Sequence, residues 1–213
     1  MPTRPLRTTL SRERVLRAAL DLVDSEGVEA LSMRRLGRAL GVEAMSLYGY
    51  VESKDDLVEG VVELIFREMP LIVPGPEPWQ QRIRHHAAIY RSVLLAHPNA
   101  IRLVAGRPLV TEGTAAFVDS ALAELRGIGL DARTADRVLG VIAAFTLGLV
   151  SEQTGAGRIT VEPGDVLDPA RFPHVAEIQT MNPAEYGAAF ELGLDFIVGG
   201  IERLLADESA RRS

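Results

Sequence analysis

The sequence predicts an all-α protein in which a three-helix head with a helix-turn-helix precedes an all-helical body. Apolar residues recur at helical spacing through most of the 213 residues. Glycine and proline stand at the ends of these stretches, and no segment alternates apolar and polar residues as a half-buried strand does. The predicted domains are residues 1–54 for the head and residues 55–213 for the body.

The helix-turn-helix is predicted from two short apolar stripes separated by a glycine. Residues 33–40 form the first amphipathic helix, and Gly41 supplies the sharp turn because glycine adopts a positive φ without steric cost. A second short helix follows, with Leu47 and Val51 directed inward. In this geometry the second helix of the pair enters the major groove of DNA.

The face that this pair leaves toward solvent favours DNA over the alternative, a helical hairpin without a ligand. Most of its side chains, Arg38 included, are donors that phosphates and base edges require. The predicted partner is a double-stranded DNA operator. The predicted DNA-binding residues are Arg34, Arg35, Met45, Ser46, Tyr48, Tyr50 and Lys54.

Charge is distributed unevenly along the chain, whose net charge is −6. Residues 1–54 carry nine basic and seven acidic side chains, whereas the remaining residues carry fourteen and twenty-two. A basic head on an acidic body suits a DNA-binding protein. The arginines near the N-terminus, Arg12 among them, fit a solvated tail equally well.

The other helices are bounded by capping residues, glycines and prolines. Ser11 and Ser53 are suitable N-caps, and Pro183 stands at a favoured first helical position. Either Asp131 or Thr134 caps the helix that runs to about Thr154. The segment from Gly155 to Pro183 is predicted to be irregular. The additional predicted helices are residues 12–26, 53–69, 79–96, 99–105, 111–128, 134–154 and 183–207.

Two of these helices carry apolar stripes that need a partner. The last helix has a heptad-like seam, and the helix at 134–154 combines an apolar stripe with small residues at Gly140, Ala144 and Gly148. Either both stripes face one intramolecular core, or the pair doubles across a two-fold axis to form a homodimer. The predicted dimer interface is Val138, Val141, Phe145, Phe190, Leu194, Ile197, Ile201 and Leu204.

The sequence argues against several other classes of protein. Without cysteine, disulfides and thiolate-bound metals are excluded. His85 and His86 are adjacent on a helix and point about 100° apart, so they cannot share a metal. No catalytic motif is present in a credible context, so we expect no enzyme, cofactor or metal site. We find no uninterrupted apolar run of membrane-spanning length and no signal-peptide core, and we expect a cytoplasmic protein without a membrane partner.

The stretch from Ser11 to Leu57 resembles the N-terminal domain of the TetR family of bacterial repressors. It contains VLRAALDLVDSEGVEALSMRRLGRALGV and MSLYGYVESKDDLV. The resemblance implies a homodimer that binds a palindromic operator and a repressor that a small molecule releases. A ligand-binding or assembly protein that keeps the helix-turn-helix as a scaffold is the alternative, but the polar recognition face argues against it.

The body is similar, more narrowly, to the C-terminal domain of the tetracycline-repressor type. The matching pieces are Trp79-Gln80, the helix through His86 and Tyr90, the turn at residues 106–108, and residues 144–153. The resemblance implies that, in that subfamily, a histidine before the turn binds the magnesium ion of a drug–magnesium chelate. This chain has Leu103 there, and leucine cannot ligate a hard cation.

The resemblance therefore implies an effector site in the same place with a different ligand, an apolar or aromatic small molecule. His86 matches the position of an amide that contacts the drug, Tyr90 matches an aromatic contact, and Glu152 matches an acidic residue near the metal. The predicted effector-binding residues are His86, Tyr90, Leu103, Arg107, Phe117, Phe145 and Glu152.

Overall fold

The computed structural model describes residues 10–105, 111–155, 171, 174 and 183–212, and all regular structure within these ranges is helical. The fold is all-α, as predicted. The chain forms two compact units, of which the first is Met1–Pro74 with Ser92–Glu124 and the second is Gly75–Arg91 with Leu125–Ser213. The predicted boundary at residue 54 separates a DNA-binding head from a ligand-binding body, which is a division by function. The two compact units divide the chain differently, and the functional boundary stays a prediction.

The helices begin and end close to the predicted positions, because the signals that bound them are local. Two differ: the third helix is a single turn, and the last helix continues to Arg212. The helices are α1 (Arg12–Glu26), α2 (Met33–Leu40), α3 (Ala44–Leu47), α4 (Lys54–Arg67), α5 (Trp79–Ala96), α6 (Ile101–Val104), α7 (Glu112–Gly127), α8 (Ala132–Thr154) and α9 (Pro183–Arg212).

In the first unit, α1 packs against α2 and α4. The Ser11 side chain accepts a hydrogen bond from the backbone N–H of Arg14 at 3.3 Å, and Ser53 does the same for Asp56 at 3.0 Å. These caps satisfy backbone donors that have no partner inside the helix. Each helix then turns an apolar face inward, which includes Val15, Leu16, Ala19, Leu20, Leu22 and Val23 in α1 and Leu57, Val58, Val61, Leu64 and Ile65 in α4.

In the second unit, α8 packs against α9. The Asp131 side chain caps α8 by accepting from the backbone N–H of Arg133 at 2.8 Å. Thr146 is fully buried, and its hydroxyl donates to the carbonyl of Ile142 at 2.8 Å, so burial leaves it satisfied. The buried face of α9 consists of Tyr186, Phe190, Leu194, Val198 and Ile201.

The helix α8 is unusually apolar for the little burial it has. Its most apolar window has a mean hydropathy of 1.4, and 22% of that window is buried. Among the described residues it is the helix that could cross a membrane by length and composition. An interface helix of an oligomer has the same character, since its free face is covered only in the assembly.

Candidate DNA interface and effector site

The turn between α2 and α3 depends on two glycines. Gly41 has φ +69° and ψ 32°, the left-handed conformation predicted for it. Gly37 lies where a Cβ atom would be 2.8 Å from the carbonyl oxygen of Val42, so no side chain fits there. Gly37 was not predicted to matter, although a glycine inside an amphipathic helix is itself a signal of close approach.

The inward and outward faces of α3 follow the prediction with one exception. Leu47 and Val51 are 0% and 1% exposed, and they anchor α3 to the head. Met45 is 76% exposed and Tyr48 is 46% exposed, and Ser46 is exposed beside them. Tyr50 was predicted to face solvent, but it is only partly exposed because the chain turns back toward the core after α3.

The basic residues of the head differ in whether an ion pair engages them. Arg34, Arg38 and Lys54 are exposed, and no ion pair engages them in the part of the chain that the structure describes. Arg35 instead pairs with Glu26 at the end of α1, so its charge is partly neutralised within the head. These cations lie on the helices that precede and follow α3 in the chain, and exposed cations next to a base-reading helix suit phosphate contacts.

An apolar groove runs along the second unit between α8 and α9. It contains three of the predicted interface residues that are at least partly exposed, Val141, Ile197 and Leu204, together with Phe196, which is 70% exposed and was not predicted. The lining residues are Thr134, Arg137, Val138, Val141, Phe196, Ile197, Gly200, Ile201, Arg203, Leu204 and Asp207.

The other predicted interface residues are mostly buried within the unit, although Val138 and Ile201 also line the groove. Phe190 and Leu194 are 3% and 0% exposed, and the ring of Phe145 stacks on that of Phe190 with centroids 6.0 Å apart. For these residues the intramolecular alternative holds, which corrects the prediction. The heptad-like seam identified one apolar stripe on α9, but periodicity does not show whether the chain's own core or a second copy covers that stripe.

Two predicted effector residues lie in the first unit. Leu103 is buried in α6. Phe117 in α7 is half-buried, and its ring meets that of Phe66 edge to face, with centroids 5.6 Å apart. Arg107, also predicted, lies outside the described residues.

The other predicted effector residues lie in the second unit. Burial raises the pKa of Tyr90 to about 12, so its hydroxyl stays neutral and able to donate a hydrogen bond. The half-buried ring of His86 meets that of His85 edge to face, with centroids 5.5 Å apart. Phe145 contributes to the aromatic stack, whereas Glu152 is exposed on α8.

Arg91 is a residue of this cluster that was not predicted. Its guanidinium lies over the ring of Phe190, 5.1 Å from the centroid, and it donates to the side-chain oxygen of Gln153 at 2.8 Å. Its Nε is buried without a hydrogen-bond partner among the described residues. An arginine at the edge of an apolar helical stripe was the available signal, but its partner is 62 residues away in sequence.

The described residues do not fit a bound magnesium ion. Within the described ranges, no group of three or more His, Asp or Glu side chains comes close enough to hold a metal. The buried side chain at the position that the family uses for a histidine ligand is Leu103, which offers no lone pair.

Comparison with known proteins agrees with this architecture. Residues 15–61 match the family described as bacterial regulatory proteins, tetR family, and residues 73–205 match the tetracyclin repressor-like C-terminal domain. The class E tetracycline repressor protein of Escherichia coli is 33% identical over 209 residues, covering 93% of this chain and 94% of that protein.

Two solved structures extend the likeness to the fold. ActR of Streptomyces coelicolor in complex with actinorhodin is 26% identical with a TM-score of 0.78, covering 92% of this chain and 98% of ActR. TetR (class A) in complex with 5a,6-anhydrotetracycline and magnesium is 28% identical with a TM-score of 0.67, covering 91% and 99%. The matches include both the head and the body. The chain belongs to the TetR family of bacterial regulatory proteins and is a ligand-responsive, DNA-binding transcriptional repressor.

Proposed function

We propose that this repressor binds a palindromic operator as a homodimer in the cytoplasm and releases it when a small apolar or aromatic molecule binds the body. The observation that carries the proposal is the outward face of the head. There Met45, Ser46 and Tyr48 are exposed on and just after α3, between Arg34 and Lys54. Such a face reads base edges with its centre and grips phosphates with its cations.

The free surface of α8 and α9 supports the homodimer. A Cβ atom at Gly140 or Gly148 would meet no other atom within 4 Å among the described residues, so these two positions of the small-residue strip on α8 border open space there. Next to it lie Val141, which is 55% exposed, and Phe196. In a dimer with a two-fold axis, this face of one copy packs against the same face of the other copy. The two heads of the dimer then meet the two halves of a palindromic operator.

The side chains near the predicted effector residues support an effector that does not need a metal. In the first unit, Leu103 offers an apolar side chain where the related subfamily has a metal-binding histidine. Within the second unit, the stacked rings of Phe145 and Phe190 form an apolar surface. Tyr90 and Arg91 add a neutral donor and a cation to that apolar surface. Pockets with apolar walls and a few polar anchors are typical small-molecule sites. The related ActR binds actinorhodin, and TetR (class A) binds 5a,6-anhydrotetracycline with magnesium.

The DNA-binding part of the proposal is tested with Tyr48→Ala and Lys54→Ala on an operator selected from random DNA. Both variants should bind the operator more weakly. Lys54→Ala should also make the slope of log affinity against log salt shallower by about one unit, because one phosphate contact is lost. Arg126→Ala, which removes an exposed arginine from α7, is the control and should leave affinity and slope unchanged. Wild-type affinity and slope in both head variants would show that α3 and its neighbours do not face the DNA.

A further inference from the structure

Arg12 and Asp56 join the first turns of two helices that flank the end of the helix-turn-helix. The guanidinium of Arg12 donates two parallel hydrogen bonds to the carboxylate of Asp56, Nη1 to Oδ2 at 2.9 Å and Nη2 to Oδ1 at 2.6 Å. A bidentate pair of this kind fixes orientation as well as distance. Arg12 is the first residue of α1, and Asp56 lies in the first turn of α4.

The same two side chains also hold the backbone between α3 and α4. Nη1 of Arg12 donates to the carbonyl oxygen of Tyr50 at 3.0 Å. The backbone N–H of Glu52 donates to Oδ2 of Asp56 at 2.7 Å. One ion pair therefore holds the backbone at Tyr50 and at Glu52, within the segment that connects Tyr48 to Lys54.

This arrangement uses Arg12 in a way that a DNA-contacting arginine is not used. Both terminal nitrogens already donate to the carboxylate, and Nη1 also donates to the Tyr50 carbonyl. Its charge is neutralised by Asp56, whose pKa is lowered by the hydrogen bond from Arg12, so the pair stays ionised at neutral pH. A neutralised guanidinium releases no counterion when the head meets DNA.

We propose that Arg12 and Asp56 are positioning residues for operator binding, which clamp the segment from Tyr48 to Lys54 in its DNA-binding geometry without touching DNA themselves. The proposal rests on the proposed role of that segment in DNA contact. In this role Arg12 belongs neither to a solvated tail nor to the phosphate contacts, because it positions the segment that makes the DNA contacts.

The charge of Asp56 gives the sharpest test. Removing an acidic charge from a DNA-binding face strengthens binding by long-range electrostatics alone. If the clamp operates, Asp56→Asn instead weakens operator binding, by roughly tenfold for a coupled pair. Arg12→Ala should weaken it to a similar extent with the salt slope of the wild type. The double variant should be no weaker than either single variant, because both remove the same constraint.

Matched controls are available on the same helix. Arg17 and Glu13 form an exposed ion pair one turn apart on α1, so Arg17→Ala and Glu13→Gln change the same charges without loosening the segment. Both controls should keep wild-type affinity, and circular dichroism should show that all five variants are folded. Tighter binding by Asp56→Asn, or a slope made shallower by about one unit in Arg12→Ala, would overturn the clamp. Loss of binding in Lys54→Ala with wild-type binding in both clamp variants would overturn it while leaving the DNA face intact.

Discussion

His97 and Asp24 lie 2.8 Å apart, Nδ1 to Oδ2, and they tie the end of α1 to the turn that follows α5. The other ring nitrogen, Nε2, is 3.1 Å from Oε2 of Glu68 just after α4. Both ring nitrogens therefore face carboxylates, and the ring can donate to both only when it is protonated. Asn99 supports the same joint by donating to the backbone carbonyl of Asp24 at 2.8 Å.

The first prediction is that stability falls as pH rises through the titration of His97. Burial alone lowers the pKa of His97, but the hydrogen bonds to Asp24 and Glu68 outweigh it, so that the pKa is raised above 6.5. A raised pKa in the folded state stabilises the protein fully below the unfolded value, and this contribution is lost as pH rises through the folded value. Between pH 6 and pH 8.5 we expect the Tm to fall by a few degrees more in the wild type than in His97→Gln, as measured by calorimetry.

The matched comparison for this prediction is His85→Gln, which removes an exposed histidine from α5. That variant should keep the wild-type pH dependence. If the Tm of the wild type and of His97→Gln changed in parallel with pH across this range, protonated His97 would not be bridging Asp24 and Glu68.

The second prediction concerns the dimer. Phe196→Asp places a charge in the apolar groove of α9 at a side chain that is 70% exposed in the single chain, so the fold itself should survive. Covering that charge with a second copy costs several kcal/mol, roughly enough to dissociate the dimer at micromolar concentration. Sedimentation should show a folded monomer that no longer binds the palindromic operator.

The control for the dimer is Ala206→Asp, on an exposed part of α9 that does not line the groove. It introduces the same charge and should stay dimeric. A wild type that sediments as a monomer, or a Phe196→Asp variant that remains a dimer, would reject this interface.

The third prediction concerns the effector. Tetracycline with magnesium should not release this protein from its operator at concentrations that release a tetracycline repressor run alongside. Leu103 offers the chelate an apolar wall in place of a ligand, and desolvating the cation there is not compensated. Leu103→His should increase the affinity for the chelate measured by tetracycline fluorescence, whereas Leu103→Phe should not. Release of the wild type by the chelate, reversed by a chelator of magnesium, would refute the prediction.

Helix boundaries could be predicted from the sequence because the groups that set them are neighbours along the chain. Ser11, Ser53 and Asp131 cap the helices that follow them, and Gly41 turns the chain where its lack of a Cβ makes a positive φ inexpensive. The inward direction of Leu47 followed from the same local reasoning. These features need no knowledge of which helix packs on which.

The partners of long-range contacts could not be predicted in this way. Arg12 and Asp56 are 44 residues apart, and nothing in either local sequence shows that they meet. Likewise, the seam of α9 showed that apolar side chains recur, but not that Phe190 faces its own core while Phe196 faces outward. Periodicity identifies a face, and only the packing of other helices decides what covers it.

The shortness of α3 sets a limit on how much operator sequence one head can recognise. The helix has four residues, and few side chains at its surface reach outward, so one head reads about three or four base pairs. A DNA sequence of three or four base pairs recurs by chance on the order of thousands of times in a bacterial chromosome with ~10⁶ competing sites. Two heads held at a fixed separation, as in the proposed homodimer, multiply their selectivities and reduce those chance matches to roughly tens or hundreds, because about six to eight base pairs are then specified. Recognition of the regulated promoter therefore depends as much on the spacing of the two operator half-sites as on the sequence of each half-site.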